Sequence, residues 1–235
     1  MSEFYPELYV VATPIGNLKD ISFMALEVLK NVDLILAEDS RVSQKILSYY
    51  NIKTPVLSYH QHSKIEKVNY ILDLLKNGKR IALVSDSGTP GVSDPGNKLI
   101  NLIINDLELK NIKVIPVPGP CALISAASVS GFPMDRFLFL GFLPRKKKRK
   151  DFLLQIVNSR YPTIFYESPH RIIKTLNDLD NLDKDLEVVV CRELTKKFET
   201  IYRGKIKEVI KRITPKGEFT VIAINKHLKK DKKIW

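Results

Sequence analysis

A loop rich in glycine and proline is the strongest candidate for chemistry in this sequence. The stretch VSDSGTPGVSDPGNKL, residues 84–99, holds three of the chain's ten glycines together with hydroxyl and carboxylate side chains. It follows the apolar run RIALVS, which predicts a buried strand, and ligands of open α/β sheets bind at the carboxyl ends of strands. Glycines there let backbone amides approach a ligand closely. The stretch predicts a ligand-binding loop; a plain tight turn is the alternative.

Three other predicted strands are followed by loops of unusual composition. ATPIGNLKDIS follows the first strand, AEDSR the second and PVPGPCA the fourth. The glycine-rich loop matches neither of the phosphate-binding patterns GxxxxGK[ST] and GxGxxG. Any one loop alone is weak grounds for a site, but four together predict one rim of a pocket.

Predicted strands and helices alternate along the chain. Short β-rich runs cover residues 8–12, 33–37, 80–85, 113–117, 137–142, 163–166, 187–191 and 218–224. Between them lie segments with helical periodicity, among them SFMALEVLKN with Ser22 as its N-cap, KIEKVNYILDLLKNG, and SPHRIIKTLNDL with Ser168 as its cap. This alternation predicts an α/β fold with largely parallel sheets.

The segment PVPGPCA marks the expected domain boundary. Three prolines and one glycine within five residues forbid a continuous helix or strand there. We expect two α/β domains, residues 1–118 and 119–235, with a cleft between them.

Basic residues are concentrated in the second half. Residues 1–118 contain 13 basic and 13 acidic residues, and residues 119–235 contain 25 and 13, so the net charge of +12 falls entirely in the second half. The steepest part is RKKKRK, residues 145–150. Such asymmetry predicts a polyanionic partner, nucleic acid before an acidic membrane surface, with a merely solvated basic surface as the alternative.

Several other classes of protein do not fit the sequence. No apolar run approaches the ~18 residues of a transmembrane helix, and the N-terminus lacks the basic start and long apolar core of a signal peptide. Two cysteines, Cys121 and Cys191, make neither a disulfide framework nor a zinc site, and His60 and His62 lack an obvious third ligand. We expect a cytoplasmic protein without a bound metal.

Seven motifs, taken together, resemble one family. These are YVVATPIGNLKDIS, LAEDSR, VSDSGTPGVSDPG, PVPGPCA, GFLPRK, FYESPHRI and RELTKKFE. They resemble the ribosomal RNA ribose methyltransferases of the tetrapyrrole methylase-like superfamily, the class III S-adenosylmethionine (SAM) enzymes, over residues 8–224. The resemblance implies a bilobal α/β fold, a homodimer, SAM in the cleft, and 2′-O-methylation of a cytidine near the decoding centre of 16S rRNA. The implied partner is 16S rRNA or the small ribosomal subunit, not DNA or a membrane.

One departure separates the chain from the tetrapyrrole-modifying relatives. Those relatives carry a GxGPGD-type loop after the first strand, where this chain reads TPIGNL. The departure and the basic second half favour the RNA branch. Two alternatives stay open: a SAM-dependent methyltransferase of a tetrapyrrole or other small acceptor, and a non-catalytic RNA-binding protein.

The resemblance also implies which residues bind SAM. They lie in the first loop, in the glycine-rich loop and in PVPGPCA: Pro14, Gly88, Thr89, Pro90, Val92, Asp94, Pro118, Gly119, Cys121 and Ala122. Asp94 either accepts hydrogen bonds from the ligand or braces the loop.

A ribose hydroxyl is a poor acid, so the implied reaction benefits from a nearby proton acceptor. The catalytic candidates are Asp39 first, then Glu38 and Glu167, with Arg41 beside Asp39. Glu193 is a further candidate. The alternative for each is an ion pair that ties loops together, because each carboxylate segment carries an arginine.

RNA binding is expected from the basic run and from a second motif, YESPHR. The residues are Arg145, Lys146, Lys147, Lys148, Arg149, Lys150, His170 and Arg171. Lysine and arginine attract phosphates without reading sequence.

Overall fold

The chain folds into two compact units. A computed structural model describes residues 6–60 and 62–225. The first unit ends at Cys121 and the second begins at Ala122. The boundary that the sequence suggests, after Pro118, lies close to this division.

The first unit alternates strands and helices. Its strands are β1 (Glu7–Val11), β2 (Leu34–Ala37), β3 (Val56–Ser58), β4 (Arg80–Val84) and β5 (Lys113–Val117). Its helices are α1 (Phe23–Asn31), α2 (Ser40–Tyr49), α3 (Ile65–Lys76) and α4 (Asn97–Asn105), with short 3-10 turns at Leu18–Asp20 and Leu107–Leu109.

The five strands form one parallel sheet in the order β3-β2-β4-β1-β5. Alternate strand residues point to opposite faces, so two apolar cores form. Ile35 and Ala82 pack with α1 and α2 on one face, and Leu36 and Ile81 pack with α3 and α4 on the other. Since both faces are covered, the carboxyl edge of the sheet is left for loops that can bind a ligand.

The second unit contains a mixed sheet. Its elements in chain order are α5 (Ala122–Ser130), β6 (Leu138–Phe142), α6 (Arg149–Val157), β7 (Thr163–Glu167), α7 (Ile172–Leu182), β8 (Glu187–Arg192), β9 (Thr200–Lys205), α8 (Ile206–Arg212) and β10 (Phe219–Ile224). The strand order is β6-β7-β10-β8-β9. One face packs on α6, α7 and α8 through residues such as Phe165 and Val221, and α5 packs against β10.

The α/β class is confirmed, but the expectation of largely parallel sheets holds for the first sheet alone. In the second sheet β6 and β7 pair in parallel, while β10 pairs antiparallel with β7 and β8, and β8 with β9. The reason is local: β8 and β9 are joined by a seven-residue loop without a crossover helix, so the chain turns back on itself.

Helix starts follow the sequence in one case and not in another. Ser22 caps α1, because its Oγ accepts from the Ala25 amide at 3.1 Å. Ser168 does not cap α7, because a turn intervenes and the helix begins at Ile172. No helix in the described ranges has the length and apolar character that crossing a membrane requires.

Candidate functional site

The four unusual loops of the first unit do lie at one edge of its sheet. They follow β1, β2, β4 and β5, which are parallel. Strand β4 lies between β2 and β1, so the glycine-rich loop that follows it has the other loops on both sides.

On the β1 side, backbone hydrogen bonds join the loops. The Thr13 amide donates to the Gly88 carbonyl at 2.8 Å, and the Gly88 amide donates back to the Thr13 carbonyl at 3.1 Å. Gly88 has φ +80°, a left-handed conformation that glycine adopts without strain. The Thr89 hydroxyl donates to the Pro120 carbonyl at 3.5 Å, which brings in the loop after β5. Three loops of the predicted SAM cradle are therefore joined.

On the β2 side, the glycine-rich loop lines a depression of about 580 Å³. Its wall contains two carboxylates, two imidazoles and loop residues: Glu38, Asp94, His60, His62, Gly91, Ser93, Pro95 and Asn97. The volume is in the range of small-molecule sites. Among the described residues no group of three or more histidine, cysteine, aspartate or glutamate side chains is arranged to hold a metal ion.

The residues predicted to bind SAM differ in exposure. Val92, Pro118 and Gly119 are exposed, whereas Pro14, Gly88 and Pro90 are buried, and Thr89, Asp94, Cys121 and Ala122 are half-buried. All but Ala122 belong to the first unit. Buried members shape the loops, so direct ligand contact is open mainly to backbone atoms and to the exposed residues.

Two carboxylates of the depression resist ionisation. Burial, together with the charges of Glu38 and Asp86, raises the pKa of Asp94 to about 6, although a hydrogen bond with Ser85 opposes the shift. Burial and the charges of Asp86 and Asp39 also raise the pKa of Glu38. A carboxylate with a raised pKa is a stronger base when it is ionised.

Asp39 is in the opposite situation. Its carboxylate accepts from Arg41 Nε at 3.0 Å and Nη2 at 2.6 Å, and it caps α2 by accepting from the Arg41 amide. These bonds lower the pKa of Asp39 to about 2. Its own amide donates to Asp86 Oδ1 at 2.9 Å, which joins the loops after β2 and β4. The arrangement favours the ion-pair alternative for Asp39 and Arg41.

Glu167, in the second unit, has a fully buried side chain. Its Oε1 lies 2.7 Å from Arg171 Nη2 and accepts from the Ser168 amide, and its Oε2 accepts from the Thr175 hydroxyl at 2.7 Å. Arg149 lies 3.9 Å away and also bonds Thr175 and Asp178. With both oxygens occupied, Glu167 fits the ion-pair alternative better than proton transfer.

The same network divides the predicted RNA contacts. Arg145, Lys146, Lys147, Lys148, Lys150 and His170 are exposed. Arg149 is held in the Glu167 network, and Arg171 donates to the Leu143 carbonyl at 2.8 Å as well as to Glu167. The exposed residues are the ones positioned to meet phosphates.

Glu193 pairs with a lysine rather than with its neighbouring arginine. Its Oε1 lies 3.1 Å from Lys196 Nζ and accepts from the Glu218 amide. Arg192 instead donates to the carbonyls of Lys216 and Phe198. Burial raises the pKa of Glu193, but these bonds outweigh it and the net shift is downward.

Sequence reasoning missed two buried residues that hold the loops. The Thr13 hydroxyl donates to the Ser85 carbonyl at 3.2 Å, and the Ser85 hydroxyl lies 3.3 Å from the Ser87 carbonyl. The available signal was the position of a small hydroxyl residue directly after an apolar strand, where a loop needs side chains to satisfy its backbone.

A family model described as tetrapyrrole (corrin/porphyrin) methylases matches residues 7–210, which spans parts of both units. The chain is therefore a tetrapyrrole methylase-fold protein by both sequence and architecture. A solved structure of diphthine synthase superposes with a TM-score of 0.71, covering 94% of this chain and 90% of that one at 16% identity, which supports the shared fold alone.

Closer relatives define the branch. A Vibrio cholerae protein named ribosomal RNA small subunit methyltransferase I is 50% identical over 87% of this chain and 70% of its own length. A Thermotoga maritima protein of the same name is 44% identical over 94% of this chain and 99% of its own length. The chain belongs to the ribosomal RNA small subunit methyltransferase I family, and the resemblance seen in its motifs is confirmed.

Proposed function

We propose that this protein transfers a methyl group from SAM to the ribose 2′-hydroxyl of a cytidine in 16S rRNA near the decoding centre. The observation that carries the proposal is the identity of 44–50% with relatives named ribosomal RNA small subunit methyltransferase I, over most of both chains. The acidic depression and the exposed basic run supply the two kinds of surface that such a reaction needs.

The first unit fits SAM by the chemistry of its groups. SAM carries a sulfonium and an ammonium cation together with ribose hydroxyls, and it supplies an already activated methyl group. Glu38 and Asp94 offer carboxylates in the depression, which Gly91 of the glycine-rich loop also lines. The loop at 118–121, joined to Thr89 by the Pro120 carbonyl, offers further backbone groups on the β1 side. These residues would bind and orient the donor, and the loop-to-loop hydrogen bonds keep them in place.

We infer that Glu38 is the proton acceptor. Asp39 is bound to Arg41, Glu167 is buried with both oxygens occupied, and Glu193 is paired with Lys196. Glu38 lines the depression and its pKa is raised, so it combines access with basicity. Asp94, which interacts with Glu38 electrostatically, would help to hold a proton in the same depression.

The RNA contact is assigned to the exposed part of the basic run. Five residues of this run follow β6, are exposed and would bind phosphates: Arg145, Lys146, Lys147, Lys148 and Lys150. His170, also exposed, follows the neighbouring strand β7. Arg149 and Arg171 would contribute indirectly, because their contacts with Glu167 and the Leu143 carbonyl hold the loops that carry the exposed residues.

The homodimer and the cytoplasmic location belong to the same proposal. Both follow from the resemblance to ribosomal RNA methyltransferases, whose substrate lies in the cytoplasm. Light scattering on the purified chain tests the first: a mass of twice 26.9 kDa is expected, and a monomeric mass contradicts it.

The decisive experiment is methyl transfer from labelled SAM to small ribosomal subunits that lack the modification. We expect label at one cytidine 2′-hydroxyl, mapped by resistance of the adjacent phosphodiester to alkali. A parallel reaction with a tetrapyrrole acceptor should remain unlabelled. Label in the tetrapyrrole but not in rRNA would overturn the RNA assignment. RNA binding without SAM binding in calorimetry, and without any transfer, would favour a non-catalytic RNA-binding protein.

A further inference from the structure

An aromatic cluster stands at the edge of the second unit's sheet. The rings of Phe139 and Phe142, both on the edge strand β6, lie 5.2 and 5.4 Å from the ring of Tyr166 on β7. Phe142 is 59% exposed, although a phenyl ring gains free energy from burial. No role in SAM binding or proton transfer falls to these three residues.

A β-bulge creates the cluster. Phe139 pairs with Ile164 and Phe142 with Tyr166, so three steps along β6 match two along β7. Gly141 within the bulge has φ +59°, which a glycine tolerates and most residues do not. Without the extra residue, strict alternation would place Phe139 and Phe142 on opposite faces. The bulge turns Phe142 onto the face of Tyr166, away from the core that contains Phe165.

The surroundings of the cluster are basic. Arg145 follows Phe142 by three residues, so their Cα atoms are within ~11 Å of each other. Lys146, Lys147 and Lys148 continue the exposed run, and His170, also exposed, follows β7. The basic residues 145–148 follow β6, and Phe142 and Tyr166 lie at the carboxyl ends of the parallel pair β6 and β7.

We propose that Phe142, supported by Tyr166, is a stacking platform for an unpaired nucleobase of the substrate RNA. The proposal rests on the proposed function and names how that RNA is held. An exposed ring beside phosphate-binding side chains is the arrangement by which proteins bind single-stranded RNA, because every base has a face that stacks. The basic surroundings favour a polyanion over a second copy of this chain, which would carry the same positive charge.

Binding of a short single-stranded ribo-oligonucleotide that contains one 2-aminopurine tests the platform. We expect Phe142→Ala to weaken binding about 10-fold, consistent with the loss of one base–aromatic stack. Phe142→Leu, which keeps apolar bulk without a ring, should weaken it similarly, and Phe142→Trp should restore it. The quenching of 2-aminopurine fluorescence on binding should be lost with Ala and Leu and retained with Trp.

Two controls separate stacking from other effects. An oligonucleotide with abasic positions keeps every phosphate, so the Phe142 variants should bind it as the wild type does. Phe23→Ala removes a phenyl ring that is 93% exposed on the first unit, and should leave RNA affinity unchanged. The dependence of affinity on salt should be the same for wild type and Phe142→Ala, because no charge is removed.

The proposal is overturned if Phe142→Ala binds the oligonucleotide with wild-type affinity, if Phe23→Ala weakens binding equally, or if Phe142→Ala acts by converting a dimer to monomers in light scattering. Methyl transfer by the wild type reports separately on the proposed function. Unchanged oligonucleotide affinity alongside normal transfer to small subunits rejects the platform and leaves the proposed function intact.

Discussion

The surroundings of two neighbouring carboxylates in the first unit shift their pKa values in opposite directions, up for Glu38 and down for Asp39. Asp39 is half-buried and bound by Arg41, and its pKa falls to about 2. For Glu38, one residue earlier, burial and the charges of Asp86 and Asp39 raise the pKa and outweigh the opposing charge of His60. Adjacent residues at the end of one strand thus acquire different chemistry, the first suited to accept a proton and the second suited to brace a helix.

Glu38→Gln is expected to lower kcat for methyl transfer by roughly 100-fold or more, since general-base catalysis contributes on that order. Asp39→Asn should cost much less, because asparagine keeps the N-cap of α2. The measurement is kcat with small subunits at saturating SAM. Glu66→Gln, which changes an exposed glutamate of the same unit, is the matched control. A larger loss in Asp39→Asn than in Glu38→Gln would return the role to Asp39.

Asp94 should make stability depend on pH. Its pKa is about 6 in the folded chain and 3.8 when unperturbed, because burial and the charges of Glu38 and Asp86 penalise the ionised form. The penalty is absent below pH ~4, grows as pH rises to about 6, and is complete above that. Asp94→Asn removes it, so the variant's free energy of unfolding relative to the wild type should increase between pH 4.5 and 7.5. Urea unfolding at both pH values measures this; a difference that is the same at both would contradict it.

Among the helices and strands of the second unit, Glu167 connects β7, on which it lies, with α6 and α7. Its carboxylate pairs with Arg171 and accepts from the Ser168 amide, both in the turn after β7. It also accepts from the Thr175 hydroxyl on α7 and lies 3.9 Å from Arg149 at the start of α6. A fully buried carboxylate requires such partners, because its desolvation is otherwise uncompensated. The network therefore fixes where the basic residues 145–148 end at α6 and how α7 packs.

Glu167→Gln should destabilise the fold by about 3 kcal/mol, because it leaves the half-buried arginines Arg149 and Arg171 without their carboxylate. The midpoint of urea unfolding should fall accordingly. Asp178→Asn, which removes a more exposed partner of Arg149, should cost less. If Glu167→Gln abolished methyl transfer while unfolding at the wild-type urea concentration, the ion-pair assignment would be wrong and a catalytic role would be supported.

The strands show how much of the secondary structure could be predicted from the sequence. All eight β-rich runs became strands, because buried strands carry an unbroken apolar signal. Strands β3 and β9 were missed. β3 has three residues, and the edge strand β9, TIYRGK, carries exposed Arg203 and Lys205, charges that protect an edge but erase the apolar pattern.

The position of the candidate site could be predicted from the sequence, but its side-chain contacts could not. The glycine-rich loop and its neighbours were located, because loops after parallel strands must share one edge of the sheet. The partners of each carboxylate were not. Glu167 lies close to Arg171 in sequence, but Arg149 and Thr175 reach it only through packing of α6 and α7, which also brings Asp178 to Arg149. The bulge at Gly141 likewise depends on the pairing register between β6 and β7, which cannot be read from the sequence.

Across the whole molecule, the two halves of the chain differ in net charge, and we assign them different binding roles. The first half is neutral overall and concentrates acidic groups in a depression suited to a cationic donor. The second half carries the whole excess of positive charge, and much of it is exposed around one loop. Electrostatic attraction to phosphates is strong and independent of sequence, so the choice of one cytidine must come from RNA shape and from contacts such as base stacking.

Replacing Arg145, Lys146, Lys147, Lys148 and Lys150 with glutamine, while keeping Arg149, should weaken binding of small-subunit RNA and flatten its salt dependence. If all five contact phosphates, the magnitude of the slope of log affinity against log salt should fall by about 3.5 to 4.5. Arg149→Gln alone should instead lower stability and leave the slope nearly unchanged, because its guanidinium is engaged with Thr175 and Asp178. Binding titrations across a salt series measure both, with SAM affinity as the check that the first unit is intact. A slope that stays at the wild-type value in the five-fold variant would show that rRNA is held elsewhere.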